Sequence, residues 1–182
     1  MSGSPAKRDG LTILATAVAY WIAYQFNEHL LFFTRFEDGV NWVYLPSGLR
    51  LMLVLVLGWP AAMGIACASV LLSAAPHPWS EFPFALVTGL ISGFAPLLAL
   101  VASRRFLHVG EDLHGLEGRS LLLLATLFAL TSAALHQLWW AWAEPSADRL
   151  HAFAVMTLGD LAGSLIVLYL FRWGLQRFTP RG

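Results

Sequence analysis

The chain has 182 residues, 58% of them apolar and 12% charged, with a mean hydropathy of +0.65. Soluble domains carry about 25% charged residues, so this composition and its long apolar runs exclude an ordinary soluble domain and point to a polytopic helical membrane protein. Eleven basic residues balance eleven acidic ones, which leaves no electrostatic footprint for nucleic acid, and the one cysteine, Cys67, excludes an internal disulfide.

In chain order, residues 1–10 form a short polar tail. The first apolar run, Leu11–Phe33, is longer than the roughly 7–15 residues of a signal-peptide core and reads as a retained membrane helix. Candidate spans follow at Leu45–Gly58, Pro60–Ala75, Phe82–Ser103, Ser120–Trp142 and Ala152–Trp173. The expected architecture is all-α, with six transmembrane helices over residues 11–173 and a tail at 174–182. The second and third spans are short and separated by "GWP", so four full crossings plus a shallow re-entrant pair is the alternative. Cys67 lies inside the third span and reads as a small buried hydrophobe.

Charge gives the orientation. With six crossings, Lys7, Arg8, Arg104, Arg105, Arg119, Arg172, Arg177 and Arg181 share one side, against Arg35 and Arg149 on the other. Both termini are therefore expected in the cytoplasm of a bacterium, with the chain in its inner membrane. Trp42, Tyr44, Trp79, Trp139, Trp140 and Trp142 cluster near the outer loops, as interfacial anchors or as the aromatic mouth of an outward pocket.

Polar residues inside these spans are expensive. An aspartate at a helix centre costs roughly 2.5–3.5 kcal/mol on insertion scales. Asp160 lies eight residues below the outer start of the last span, about 12 Å deep at helical rise. Arg50, four residues after Pro46, is the best available cation for it. His136 and Asn27 each lie six residues inside their outer boundaries, roughly 9 Å deep. These groups, with Trp42 and Ser47, are the expected ligand-binding residues of an outward polar pocket. A plain Arg50–Asp160 bridge locking two helices and a proton relay through Asp160 and His136 are the other uses of the same side chains.

Local signals frame that pocket. Pro46 and Gly48 mark the start of the second helix, where Ser47 can satisfy free amides and a helix N-terminus beside Arg50 would welcome an anion. Gly89/Gly93 and Gly159/Gly163 fit the GxxxG pattern, and Ala15, Ala19 and Ala23 make a smooth ridge; close helix packing within the chain or a homodimer would use such faces. Pro96 should bend the fourth helix. His29, His77 and His151 lie near the outer surface without paired metal-ligand spacing. No cofactor is expected. Neither GxSxG, HExxH nor a catalytic carboxylate dyad occurs, so no enzymatic activity is expected.

Two stretches carry a resemblance. "NWVYLPSGLRLMLVLVLGWPAAMGI" is similar to the W-x-P-x-G-(apolar) signature of the MASE-type (membrane-associated sensor) domain, first class, and "MTLGDLAGSLIVLYL" resembles its W-x-G-D-x-x-G segment. "LEGRSLLLLATLFALTSAAL" is similar to its middle helix, with less specificity. The resemblance covers about a third of the chain and falls on Trp42, Pro46, Gly48, Gly159, Asp160 and Gly163. It implies a sensory input module, usually fused to a histidine kinase or diguanylate cyclase. These residues are fewer than in the usual form and no output domain is expected among them, so signalling through a separate partner protein is the expectation. The short helices and the alanine ridge also resemble the substrate-binding component of energy-coupling-factor vitamin transporters, where the ridge would meet an energising partner.

Overall fold

The computed structural model describes residues 4–76, 78, 81–106, 118–143 and 148–178, with the side chains of 175–178 excepted. His77, Trp79, most of the basic loop after Phe106, and Arg177 and Arg181 as side chains lie outside that description. The described chain is all-α apart from one hairpin: α1 Pro5–Leu30, β1 Arg35–Glu37, β2 Val40–Asn41, α2 Leu45–Leu57, α3 Trp59–Ala74, α4 Phe82–Phe106, α5 Gly118–Ala143 and α6 Arg149–Phe178. α1 starts at Pro5, inside the expected polar tail, because proline at a first turn loses no helical hydrogen bond.

Three segments are long and apolar enough to cross a membrane: Phe82–Arg105, Gly118–Ala143 and Arg149–Gly174. α2 and α3 are apolar but have 13 and 16 residues, about 20 and 24 Å against a hydrocarbon core of roughly 30 Å. They do not lengthen beyond the apolar runs, because Gly58 turns the chain between them with φ +68° while its amide closes α2 on Val54. Successive neighbours in the bundle run α1, α3, α4, α5, α6, and α2 touches α1, α3, α4 and α6. The outer surface is strongly apolar, with Leu71, Leu138 and Tyr169 each 70% exposed or more, a cover that lipid rather than water tolerates.

Two expectations change here. Cys67 is exposed on α3, not buried, because the packed face of that helix belongs to Gly64, Ile65, Ala68 and Ser69. The alanine ridge is not the packed face of α1 either. Thr16, Tyr20 and Asn27 are its buried residues and Ala15 is exposed.

The hairpin was not foreseen. β1 and β2 pair antiparallel with Arg35 opposite Asn41 and Glu37 opposite Val40; Gly39, at φ +77°, makes the turn and rests on the Trp140 ring. Val40 and Asn41 are buried against α6. The GxxxG pattern of α6 therefore receives the strand β2 at Gly159 and the start of α2 at Gly163. A side chain at Gly159 would strike the Asn41 carbonyl, and one at Gly163 the Tyr44 carbonyl, while Gly48 is closed against the Gly163 carbonyl in return. Gly89 and Gly93 pack α4 onto α3 at Val70 and Ala62.

Because that contact is backbone on backbone, it cannot be relieved by rotating a side chain. Gly163→Ala should lower stability by about 1–3 kcal/mol, whereas Gly10→Ala, which meets nothing within 4 Å, should not. Thermal unfolding of the two variants in detergent checks this.

Candidate functional site

Side chains four residues apart share one face of a helix. Four helices each carry such a pair in an otherwise apolar run: Tyr20/Tyr24 on α1, Ser69/Ser73 on α3, Thr88/Ser92 on α4 and His136/Trp140 on α5. All four pairs line one cavity of about 550 Å³, within the usual range for small-molecule sites. Tyr44 and Arg50 reach it from the start of α2, Met156 from α6, and Phe84 from α4.

The mouth lies at the hairpin end of the bundle. Arg35 of β1 pairs with Glu28 of α1 and approaches Asp38 at 3.6 Å, and Arg149 of α6 meets Glu37 at 4.0 Å. These pairs strap the hairpin to α1 and α6 across the rim. Being partly exposed, each contributes at most about 1 kcal/mol.

Arg50 lies at the inner side of the cavity and is 1% exposed. Its guanidinium sits between the rings of Tyr44 and Phe128, 5.6 and 5.4 Å from their centres, an arrangement that stabilises a desolvated cation. Nη2 approaches both Asp160 oxygens, at 3.4 and 3.5 Å, and Nη1 donates to the Ser92 carbonyl at 3.5 Å. Nε has no partner. Asp160 is equally buried but does not line the cavity. The two charges thus cancel across the α2–α6 contact, with the cation on the cavity side.

His136 Nδ1 donates to the Ser132 carbonyl at 2.8 Å, so Nε2 accepts from Ser92 Oγ at 3.1 Å. Trp140 Nε1 donates to Thr88 Oγ1 at 3.2 Å, and the Tyr20 and Tyr44 hydroxyls share a hydrogen bond of 3.2 Å. His136 and Asp160 are therefore engaged separately, the first with serines and the second with Arg50. No group of three metal-ligating side chains occurs among the described residues.

Of the residues expected to bind a ligand, Arg50 and His136 line the cavity; Asp160 stands behind Arg50. The other three lie outside the lining, each for a structural reason. Asn27 Oδ1 accepts the Leu45 amide at 3.0 Å and so caps the start of α2. Ser47 does not cap it: its one hydroxyl hydrogen is shared between the Tyr44 carbonyl at 2.7 Å and the Asp160 carbonyl of α6 at 2.9 Å, so the hydroxyl acts as a donor there. Trp42 is 46% exposed and meets Phe36 and His151 edge-on. The anion cradle expected at this helix start is absent for the same reasons. Its first amide is taken by Asn27 and its arginine by Asp160.

Pro46, Gly48, Gly159 and Gly163 carry packing rather than ligand contact. They bring two segments more than a hundred residues apart onto each other, and the Tyr44 amide donates to the Gly159 carbonyl at 3.2 Å. Of the aromatics that the sequence left as interfacial anchors or as the mouth of a pocket, Trp140 and Tyr44 line the cavity.

Comparison with family models, with characterised proteins and with solved structures gives no match.

Removing one partner of a buried ion pair leaves the other uncompensated, at a cost of roughly 3–5 kcal/mol. Arg50→Met and Asp160→Leu should each cause a loss of that order, and the double variant should recover most of it. Unfolding of all three in detergent measures the coupling.

Proposed function

We propose that the chain is a ligand-binding protein of the bacterial inner membrane, crossing it six times with both termini in the cytoplasm. It takes a small molecule from outside into the cavity and passes the occupancy to a separate signalling partner. The single observation that carries this is the cavity itself. Its mouth is at the hairpin end, and the described basic residues Lys7, Arg8, Arg104, Arg105, Arg119 and Arg172 belong to the opposite helix ends. Intramembrane charges that line a cavity are a functional signature.

The sensor reading rests on the resemblance to the first-class membrane-associated sensor domain. Its two motif stretches pack against each other here, which supports their acting as one unit. Arg50 and Asp160 couple α2 to α6, so a ligand touching Arg50 acts on the contact between those helices. Uptake is the second reading. The exposure of Ala15 leaves part of the α1 ridge open to an energising partner.

Two experiments test the proposal. In a Cys67→Ser background, Asp38→Cys should react with a membrane-impermeant maleimide in intact cells, and Arg8→Cys only after permeabilisation; the reverse pattern contradicts the orientation. Native mass spectrometry from nanodiscs should detect a retained small molecule that Ser69→Leu, filling the cavity wall, displaces. Co-purification of a kinase or cyclase favours sensing, and of a transport ATPase, uptake.

A further inference from the structure

From the cavity's charge balance, we infer that it takes an uncharged, flat aromatic molecule carrying a carbonyl acceptor, which Arg50 Nε binds. This rests on the cavity being a ligand site and names the chemistry of its occupant.

The inner end is rich in donors and nearly neutral. A guanidinium has five N–H groups, and close carboxylate pairs usually engage two of them at about 2.7–2.9 Å. Here both Asp160 oxygens share Nη2 at 3.4 Å or more, the Nη1 contact is 3.5 Å, and Nε is unpartnered although Arg50 is 1% exposed. A buried donor without an acceptor is costly; Arg50 lines the cavity while Nε itself is closed off from it, so an incoming acceptor is favoured at that atom once the guanidinium turns toward the cavity. A neutral His136, donating from Nδ1 to the Ser132 carbonyl and accepting from Ser92 at Nε2, adds no charge to the wall.

An anion is the obvious candidate and the charges argue against it. Asp160 already compensates Arg50, so a ligand carboxylate at Nε would bury a second negative charge behind one guanidinium. The rim opposes it too: Glu28, Glu37 and Asp38 face Arg35 and Arg149, one negative charge in excess. A cationic ligand is refused at the other end, because the cavity presents Arg50 and not Asp160. A carbonyl oxygen takes the free donor without adding charge. The body of the ligand follows from the walls, where Tyr20, Tyr24, Tyr44, Phe84 and Trp140 supply flat apolar faces.

Three probes of one shape separate these cases: indole-3-acetamide, indole-3-acetate and tryptamine, titrated calorimetrically into the full chain in nanodiscs. The amide should bind at least tenfold more tightly than the acid or the amine. Asp160→Asn, which removes the compensating charge and keeps the shape, should invert the order so that the acid binds best. If that variant does not fold, the wild-type series decides by itself. An acid or amine that binds as tightly as the amide overturns the inference and leaves the cavity a binding site, as does an unchanged order in a folded Asp160→Asn. If none of the three binds and no molecule is retained in native mass spectrometry, the inference and the ligand-site reading both fall.

Discussion

The Arg50–Asp160 pair organises this molecule because neither charge is tolerable alone in oil. The 3.4 Å contact between the Arg50 Nη2 and Asp160 Oδ1 joins α2, the shortest helix, to α6, the longest. It can form only because glycine removes side chains from the same seam. Gly48 and Gly163 let the two backbones approach, Ser47 bonds the Asp160 carbonyl, and the Tyr44 amide bonds the Gly159 carbonyl. Charge and close packing thus reinforce each other within two turns of helix. Few alternative packings of α2 satisfy both, which is how a costly pair specifies a unique arrangement.

That seam in turn shapes the cavity. With Asp160 behind it, Arg50 lines the space enclosed by α1, α3, α4 and α5. The rings of Tyr44 and Phe128 hold it flat. The hairpin completes the outer end, docked on α6 through Val40 and Asn41 and strapped by ion pairs that are individually weak. Val40 and Asn41 are buried against α6, whereas the ion pairs lie partly exposed at the rim.

Much of this is readable in the amino-acid order. Apolar runs bounded by Pro, Gly and charge place all six helices, with ends off by up to six residues at α1 and five at α6, and the depth of Asp160 and Arg50 points to their pairing. What escaped has physical causes. Whether an aromatic faces lipid or a cavity depends on helix rotation, which hydropathy does not encode, so for Trp140 and Tyr44 the sequence leaves interfacial anchor and pocket mouth both open. The polar pairs at four-residue spacing, such as Ser69/Ser73 and Thr88/Ser92, were a usable signal for the lining. Each residue is individually unremarkable in a membrane helix, and only their common face marks a site. The hairpin was hidden because "RFEDGVN" is too short for alternation to show, and its stability comes from the α6 glycines far along the chain. Ser47 illustrates a third limit: a hydroxyl at a helix start can donate or accept, and the neighbouring α6 carbonyl decides.

The most direct test of this account is the proximity of the two buried charges in a bilayer. With ¹⁵N-arginine and ¹³C-aspartate labelling, solid-state NMR should show dipolar dephasing between the Arg50 guanidinium and the Asp160 carboxyl, of the strength that a 3.4 Å nitrogen–oxygen contact requires, and it should vanish in Arg50→Met. An Asp160 carboxyl with no dephasing partner would contradict the account, because the seam, the orientation of Arg50 and the neutrality of the cavity all depend on that contact.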